Sequence, residues 1–74
     1  MIADYEVRIV GRLDETSLLA LQDLDVTVTS DGPLTVVSGR LDQPALHGLL
    51  ERIRVFDLQL EEVRRLRVPP SRPD

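Results

Sequence analysis

The sequence contains no cysteine, no lysine and no asparagine, and its only aromatic residues are Tyr5 and Phe56. Without cysteine the chain has no disulfide and no thiolate metal site, so its 74 residues must gain stability from an aliphatic core or from self-association. The only histidine, His47, has no acid pair at a ligand spacing and is expected to be a packing or surface residue. We therefore predict no metal and no cofactor.

Long apolar runs are also absent, as is a basic and then apolar leader after Met1. This pattern predicts a chain that does not enter a membrane and stays in the cytoplasm. The formal net charge of −4 argues against general electrostatic binding to nucleic acid or to an anionic membrane surface.

The first half of the chain carries two types of periodicity. Apolar and charged residues alternate before Gly11, which is typical of a strand with one solvated face. Asp14 is a good helix N-cap, and leucines at helical spacing follow it. Pro33 lacks the N–H group of an ordinary tight turn, which favours a four-residue hairpin loop with Thr29 opposite Leu34. We predict strands at about residues 5–12, 26–29 and 34–40, with a short helix after the first.

The second half begins with a clear helix start, because Asp42 is an N-cap and Pro44 follows it. Where this helix ends is open to two interpretations. In the first, which we favour, it stops near Asp57 and residues 58–65 form a fourth strand. In the second, one long helix continues to Leu66, since its apolar residues keep a heptad spacing and the glutamates and arginines near its end are good helix formers.

An internal repeat organises the whole chain. Gly11-Arg-Leu-Asp14 recurs as Gly39-Arg-Leu-Asp42, and each copy follows a strand pattern and precedes a leucine-rich helix. A strand-helix-strand unit used twice predicts an α+β fold, the ferredoxin-like β-α-β-β-α-β sandwich, over residues 1–67. Residues 68–74 are rich in proline and are expected to form a disordered or extended tail.

The segment Asp42-Gln-Pro-Ala-Leu-His-Gly-Leu-Leu-Glu-Arg-Ile-Arg54 resembles a pattern of many short uncharacterised bacterial proteins. In those proteins a "DQAALHGLLxRLRDLGL" helix leads into an apolar strand. The resemblance implies a strand after Asp57, which replaces the helix-ending glycine of the relatives and weakens that stop. At the level of fold alone, the chain is also similar to ACT-type regulatory domains, although their glycine-rich ligand loop is reduced to Gly11.

Other proteins of this topology help to exclude functions. Acylphosphatases need an asparagine beside a phosphate-binding arginine, RNA-recognition motifs stack bases on sheet aromatics, and heavy-metal domains use paired cysteines. The chain offers none of these features, so we predict no catalytic residue and no enzyme.

Two surfaces remain as candidates. In the ferredoxin-like arrangement we expect the first and third strands to be parallel neighbours, so that Arg12 and Arg40 share one edge and form an anion site. Against this, Asp14 and Asp42 already supply the negative charge that the helix starts favour. The second surface is the sheet face turned away from the helices, and its predicted interface residues are Arg8, Val10, Leu34 and Val36.

We therefore expect a non-enzymatic regulatory or interaction module that forms a homodimer or binds another protein. The alternative is a sensor of small anions or metabolites that uses the edge formed by Arg12 and Arg40.

Overall fold

The computed structural model describes residues 2–66, which form an α+β fold of four strands and two helices. The predicted tail at residues 68–74 lies outside the described residues. The fourth strand confirms the first interpretation of the second half, and the single long helix is wrong. In chain order the elements are β1 (Ala3–Val10), α1 (Glu15–Leu21), β2 (Thr27–Asp31), β3 (Leu34–Leu41), α2 (Gln43–Val55) and β4 (Gln59–Leu66).

The four strands form one antiparallel sheet in the order β2-β3-β1-β4. The expected parallel arrangement of β1 and β3 is wrong, because Ala3 lies opposite Leu41 and Val10 lies opposite Leu34. The reason is the hairpin. Strand β2 runs in the same direction as β1, and the turn after β2 sends β3 back between them.

The repeated Gly-Arg-Leu-Asp segments place a capping aspartate before each helix. The Asp14 carboxylate accepts a hydrogen bond from the Ser17 amide at 2.8 Å, and Asp42 accepts one from the Ala45 amide at 2.9 Å. Each bond satisfies an amide that has no partner within its helix. The predicted capping role is confirmed for both residues.

The hairpin loop contains two residues, Gly32 and Pro33, and Asp31 lies directly opposite Leu34. The predicted four-residue loop is therefore wrong. Gly32 has a φ of 60°, which glycine adopts readily, and the fixed negative φ of Pro33 suits the second loop position of a type II′ turn. That position needs no amide donor, because the turn is closed by backbone groups of the two flanking residues.

One face of the sheet packs against the helices and holds the core. Val37 is fully buried there, whereas its neighbour Val36 lies on the opposite face, directly across from Arg8. Thr35 is also buried, and its hydroxyl donates a 2.7 Å hydrogen bond to the Gly11 carbonyl. The buried core residues are Tyr5, Val7, Ile9, Leu21, Val37, Leu41, Leu46, Leu49 and Ile53.

Candidate interaction surface

The four predicted interface residues lie together on the outer face, the sheet face turned away from the helices. Arg8 of β1 is directly opposite Val36 of β3, and Val10 is directly opposite Leu34. Opposite residues in an antiparallel pair project from the same face, so the four side chains form one block. Whether this block is an interface stays a prediction.

The side chain of Arg8 extends across the outer face and makes the centre of that face polar. Its Nε donates to Glu6 at 2.7 Å, and its Nη1 donates to Asp31 of β2 at 3.1 Å. To reach β2 from β1 the side chain must cross β3, and Val36 on that strand retains only 9% of its exposure. The hydrogen bond to Glu6 and then that to Asp31 raise the pKa of Arg8, so its charge is firmly held. Val10, at 38% exposure, is the more accessible apolar side chain of the block.

The predicted anion site at a shared edge of Arg12 and Arg40 is not formed. Because β1 and β3 are antiparallel, Arg12 follows the end of β1 near Pro33, while Arg40 lies opposite Asp4 at the other end of the sheet. The two guanidinium groups therefore cannot hold one anion. The metabolite-sensing alternative loses the geometry on which it depended.

His47 lies on the exposed side of α2. Within residues 2–66, no group of three or more histidine, aspartate and glutamate side chains could hold a metal ion. Between the same limits, no helix combines the length and the apolar character needed to cross a membrane.

The helix side carries a shallow groove of about 430 Å³ between α1 and the end of α2. Arg52 borders it and links the two helices, since its Nη1 donates to the Ala20 carbonyl at 2.6 Å and also pairs with Asp23. The hydrogen bond from Arg52 lowers the pKa of Asp23. The groove is lined by Leu19, Ala20, Asp23, Arg52, Val55 and Phe56.

The strand β4 is the surface that the sequence predictions missed. All its residues from Gln59 to Arg65 are exposed, although β4 pairs with β1 along its length. Leu60 and Val63 lie on the helix side, opposite Ile9 and Val7, but remain 45% and 39% exposed. The helices therefore cover the middle of the sheet and leave the inner face of β4 partly open.

A signal for this surface is present in the sequence. The order Leu60-Glu-Glu-Val-Arg-Arg-Leu66 places its acids before its bases, on either side of Val63. The charges of the segment are therefore complementary to those of a second copy that runs in the opposite direction. The same glutamates and arginines are good helix formers, which favoured the single long helix.

A family model matches residues 4–64 of the chain and is described as a domain of unknown function, DUF8691. The chain belongs to this family. The match extends from β1 into β4 and so includes both copies of the repeat. No curated protein and no solved structure is significantly similar to the chain.

Proposed function

We propose that this domain is a non-enzymatic, self-associating interaction module with a ferredoxin-like fold. The β-α-β-β-α-β element order and the antiparallel sheet, in which β4 flanks β1, support the assignment of the fold. A cytoplasmic location stays a prediction from the sequence.

The observation that carries the proposal is the exposure of β4. This edge strand of eight residues is exposed at all but the last, and its apolar side chains Leu60 and Val63 face the helix side but are only partly covered. A long edge strand with exposed apolar residues is a surface that other chains pair with readily. Small domains also gain from burying a second surface, because their own cores are limited.

The interactions that the charged side chains make within the fold support a binding role over catalysis. The Asp14 and Asp42 carboxylates cap helices, and Glu6 and Asp31 neutralise Arg8. These groups are already engaged in holding the fold, which is the role expected of structural acids rather than of acid–base catalysts.

The test is the oligomeric state of the full chain. Sedimentation velocity from micromolar to millimolar concentration should reveal a reversible shift from monomer to dimer. A monomer at the highest concentration would contradict the proposal.

A substitution on the outer face separates the two candidate surfaces. Val10 is exposed, so Val10→Glu should fold normally. A Val10→Glu monomer would place the interface on the outer face. A Val10→Glu dimer would retain the function and place the interface elsewhere.

A further inference from the structure

The free edge of β4 is the longest unpaired strand edge in the described part of the chain. The sheet ends in β2 on one side and β4 on the other, and β2 has five residues where β4 has eight. A strand at the edge of a sheet presents backbone N–H and C=O groups that a further strand can pair with. The side chains of β4 decide which strand can pair with this edge.

The charges of β4 select an antiparallel copy of itself. When two copies run in opposite directions with Val63 opposite Val63, each Glu62 faces Arg64 of the other copy. The next pair outward joins Glu61 to Arg65, again of opposite charge. Opposite charges directly across an antiparallel pair are stabilising and like charges are destabilising.

Other alignments lose this complementarity. Centring the pair on Glu62 sets two glutamates opposite each other, and centring it on Arg64 sets two arginines opposite each other. A parallel pair in register also places every charge beside its own kind. Of these arrangements, only the antiparallel pair centred on Val63 joins Glu62 to Arg64 on both sides of its centre.

The faces of β4 agree with this register. Val63 lies on the helix side, whereas Glu62 and Arg64 both lie on the outer face, opposite Arg8 and Glu6. A two-fold axis perpendicular to the sheet at Val63 therefore brings together residues that already project from the same face. Within one chain Arg64 donates to Glu62 at 3.2 Å, so the two side chains extend along the same surface.

We propose that two copies of this chain pair antiparallel along β4, centred on Val63, and so join their sheets into one. This inference rests on the proposed function and names its partner. The half-exposed Val63 side chains of the two copies then contact each other on the helix side. The pairing is short, because a bulge between Arg8 and Ile9 of the neighbouring strand interrupts the regular register of β4 at Glu61. We therefore expect a weak, reversible dimer.

A single cysteine tests the register directly, since the natural chain contains none. In the proposed dimer the two copies of residue 63 are directly opposite, within the range of about 4.4–6.8 Å between Cα atoms that a disulfide spans. Val63→Cys should form a covalent dimer under mild oxidation. In the matched control Glu61→Cys, the two cysteines are four positions apart along the strands, about 13 Å, and should cross-link poorly.

The outcomes of this experiment are distinct. Preferential cross-linking of Val63→Cys, at concentrations where the natural chain is dimeric, supports the proposal. Equal cross-linking of both variants, or none for Val63→Cys in a dimeric protein, overturns the β4 register and leaves self-association in place. A natural chain that stays monomeric overturns both proposals.

Charge reversal provides a second test that does not depend on oxidation. Glu62→Arg alone places arginines opposite arginines in its own dimer, and Arg64→Glu alone places glutamates opposite glutamates, so each variant should be monomeric. An equimolar mixture restores both unlike pairs and should associate. Circular dichroism of each variant checks its fold, because Arg8 and Glu6 lie opposite the substituted positions. Folded variants that remain dimeric alone, or a mixture that stays monomeric, would overturn the proposal.

Discussion

The two glycines of the repeated motif serve different purposes. Gly11 has a φ of 93°, and a Cβ added there would meet no atom within 4 Å. Gly39 has no unusual φ, but a Cβ there would lie 2.7 Å from the Asp25 carbonyl oxygen. The first glycine is required by its backbone conformation and the second by close packing. The sequence repeat therefore does not imply a repeated environment.

Gly39→Ala is expected to destabilise the domain, because the methyl group would force the loop before β2 away from β3. Gly48→Ala is the matched control. A Cβ at Gly48 meets nothing within 4 Å, and alanine is favoured over glycine in a helix interior by about 0.5–1 kcal/mol. Urea unfolding should show a lower midpoint for the first variant and a higher one for the second. A Gly39→Ala protein as stable as the parent would contradict the close approach.

The end of α2 depends on one aspartate in a conformation that suits glycine. Asp57 has a φ of 57°, and its amide donates to the Arg54 carbonyl at 3.0 Å. The amide of Leu58 donates to the Ile53 carbonyl, also at 3.0 Å. These two bonds define a Schellman motif, in which glycine usually occupies the position of Asp57.

Asp57→Gly should therefore stabilise the domain by about 1 kcal/mol, since the left-handed conformation costs other residues roughly 1–2 kcal/mol. Thermal unfolding measured by circular dichroism is a sufficient test. Asp57→Ala controls for the loss of the carboxylate and should be less stable than Asp57→Gly. An equal effect of the two substitutions would assign the gain to charge and not to backbone conformation.

The Asp14 cap predicts a contribution to acid stability. Hydrogen bonds from Ser17, first from its amide and then from its side chain, lower the pKa of the Asp14 carboxyl. A carboxyl with a lowered folded-state pKa stabilises the fold above its unfolded pKa of about 3.9, and this contribution is lost as the pH falls through the folded value.

Asp14→Asn keeps a capping oxygen and removes this titration. The natural chain should be the more stable of the two at pH 6, and the difference should shrink below about pH 4. Melting temperatures between pH 3 and pH 7 measure it. A difference that does not change with pH would mean that the Asp14 charge has no role in the fold.

At the level of whole elements, local patterns predicted the elements well and their partners less well. The capping residues Asp14 and Asp42 begin both helices, and alternation places Val36 and Val37 on opposite faces. The hairpin loop has two residues and not four, but both lengths are even. The strand faces were therefore predicted correctly from an incorrect turn.

The relative direction of β1 and β3 could not be obtained from the repeat. Identical segments indicate that two units share a local structure, but the direction in which one unit packs on the other is set by long-range pairing. The antiparallel pairing places Arg12 and Arg40 at opposite ends of the sheet. The predicted outer-face block, by contrast, depended on an even loop length, on strand alternation and on the adjacency of β1 and β3, all of which the fold has, and its four residues are adjacent.

The exposure of β4 also lay beyond local patterns. Leu60 and Val63 are three residues apart, a spacing that puts residues of a regular strand on opposite faces, and the bulge beside Arg8 and Ile9 brings both to the helix side. How far these side chains are covered depends on where α2 lies over the sheet. The sequence of β4 alone does not indicate that position. The feature of the sequence that indicates a partner for this strand is the order of its charges, with the acids before the bases.

For the molecule as a whole, two surfaces of the sheet are candidates for the proposed association. Association through the outer face and association along the β4 edge differ in whether they bury Val36. Association through the outer face would bury this residue against a second copy. Association along β4 leaves its exposure as it is in the single chain.

Val36→Glu and Val37→Glu together test the strand faces and the interface. Val37 has no exposure, so an unpaired carboxylate there should unfold the domain. The carboxylate introduced by Val36→Glu would lie directly opposite Arg8, at a position with 9% exposure, and would share that guanidinium group with Glu6 and Asp31. We expect Val36→Glu to be folded by circular dichroism and, if two copies pair along β4 as proposed, to sediment as a dimer. A folded Val36→Glu monomer would transfer the interface to the outer face, and an unfolded Val36→Glu beside a folded Val37→Glu would reverse the register of β3.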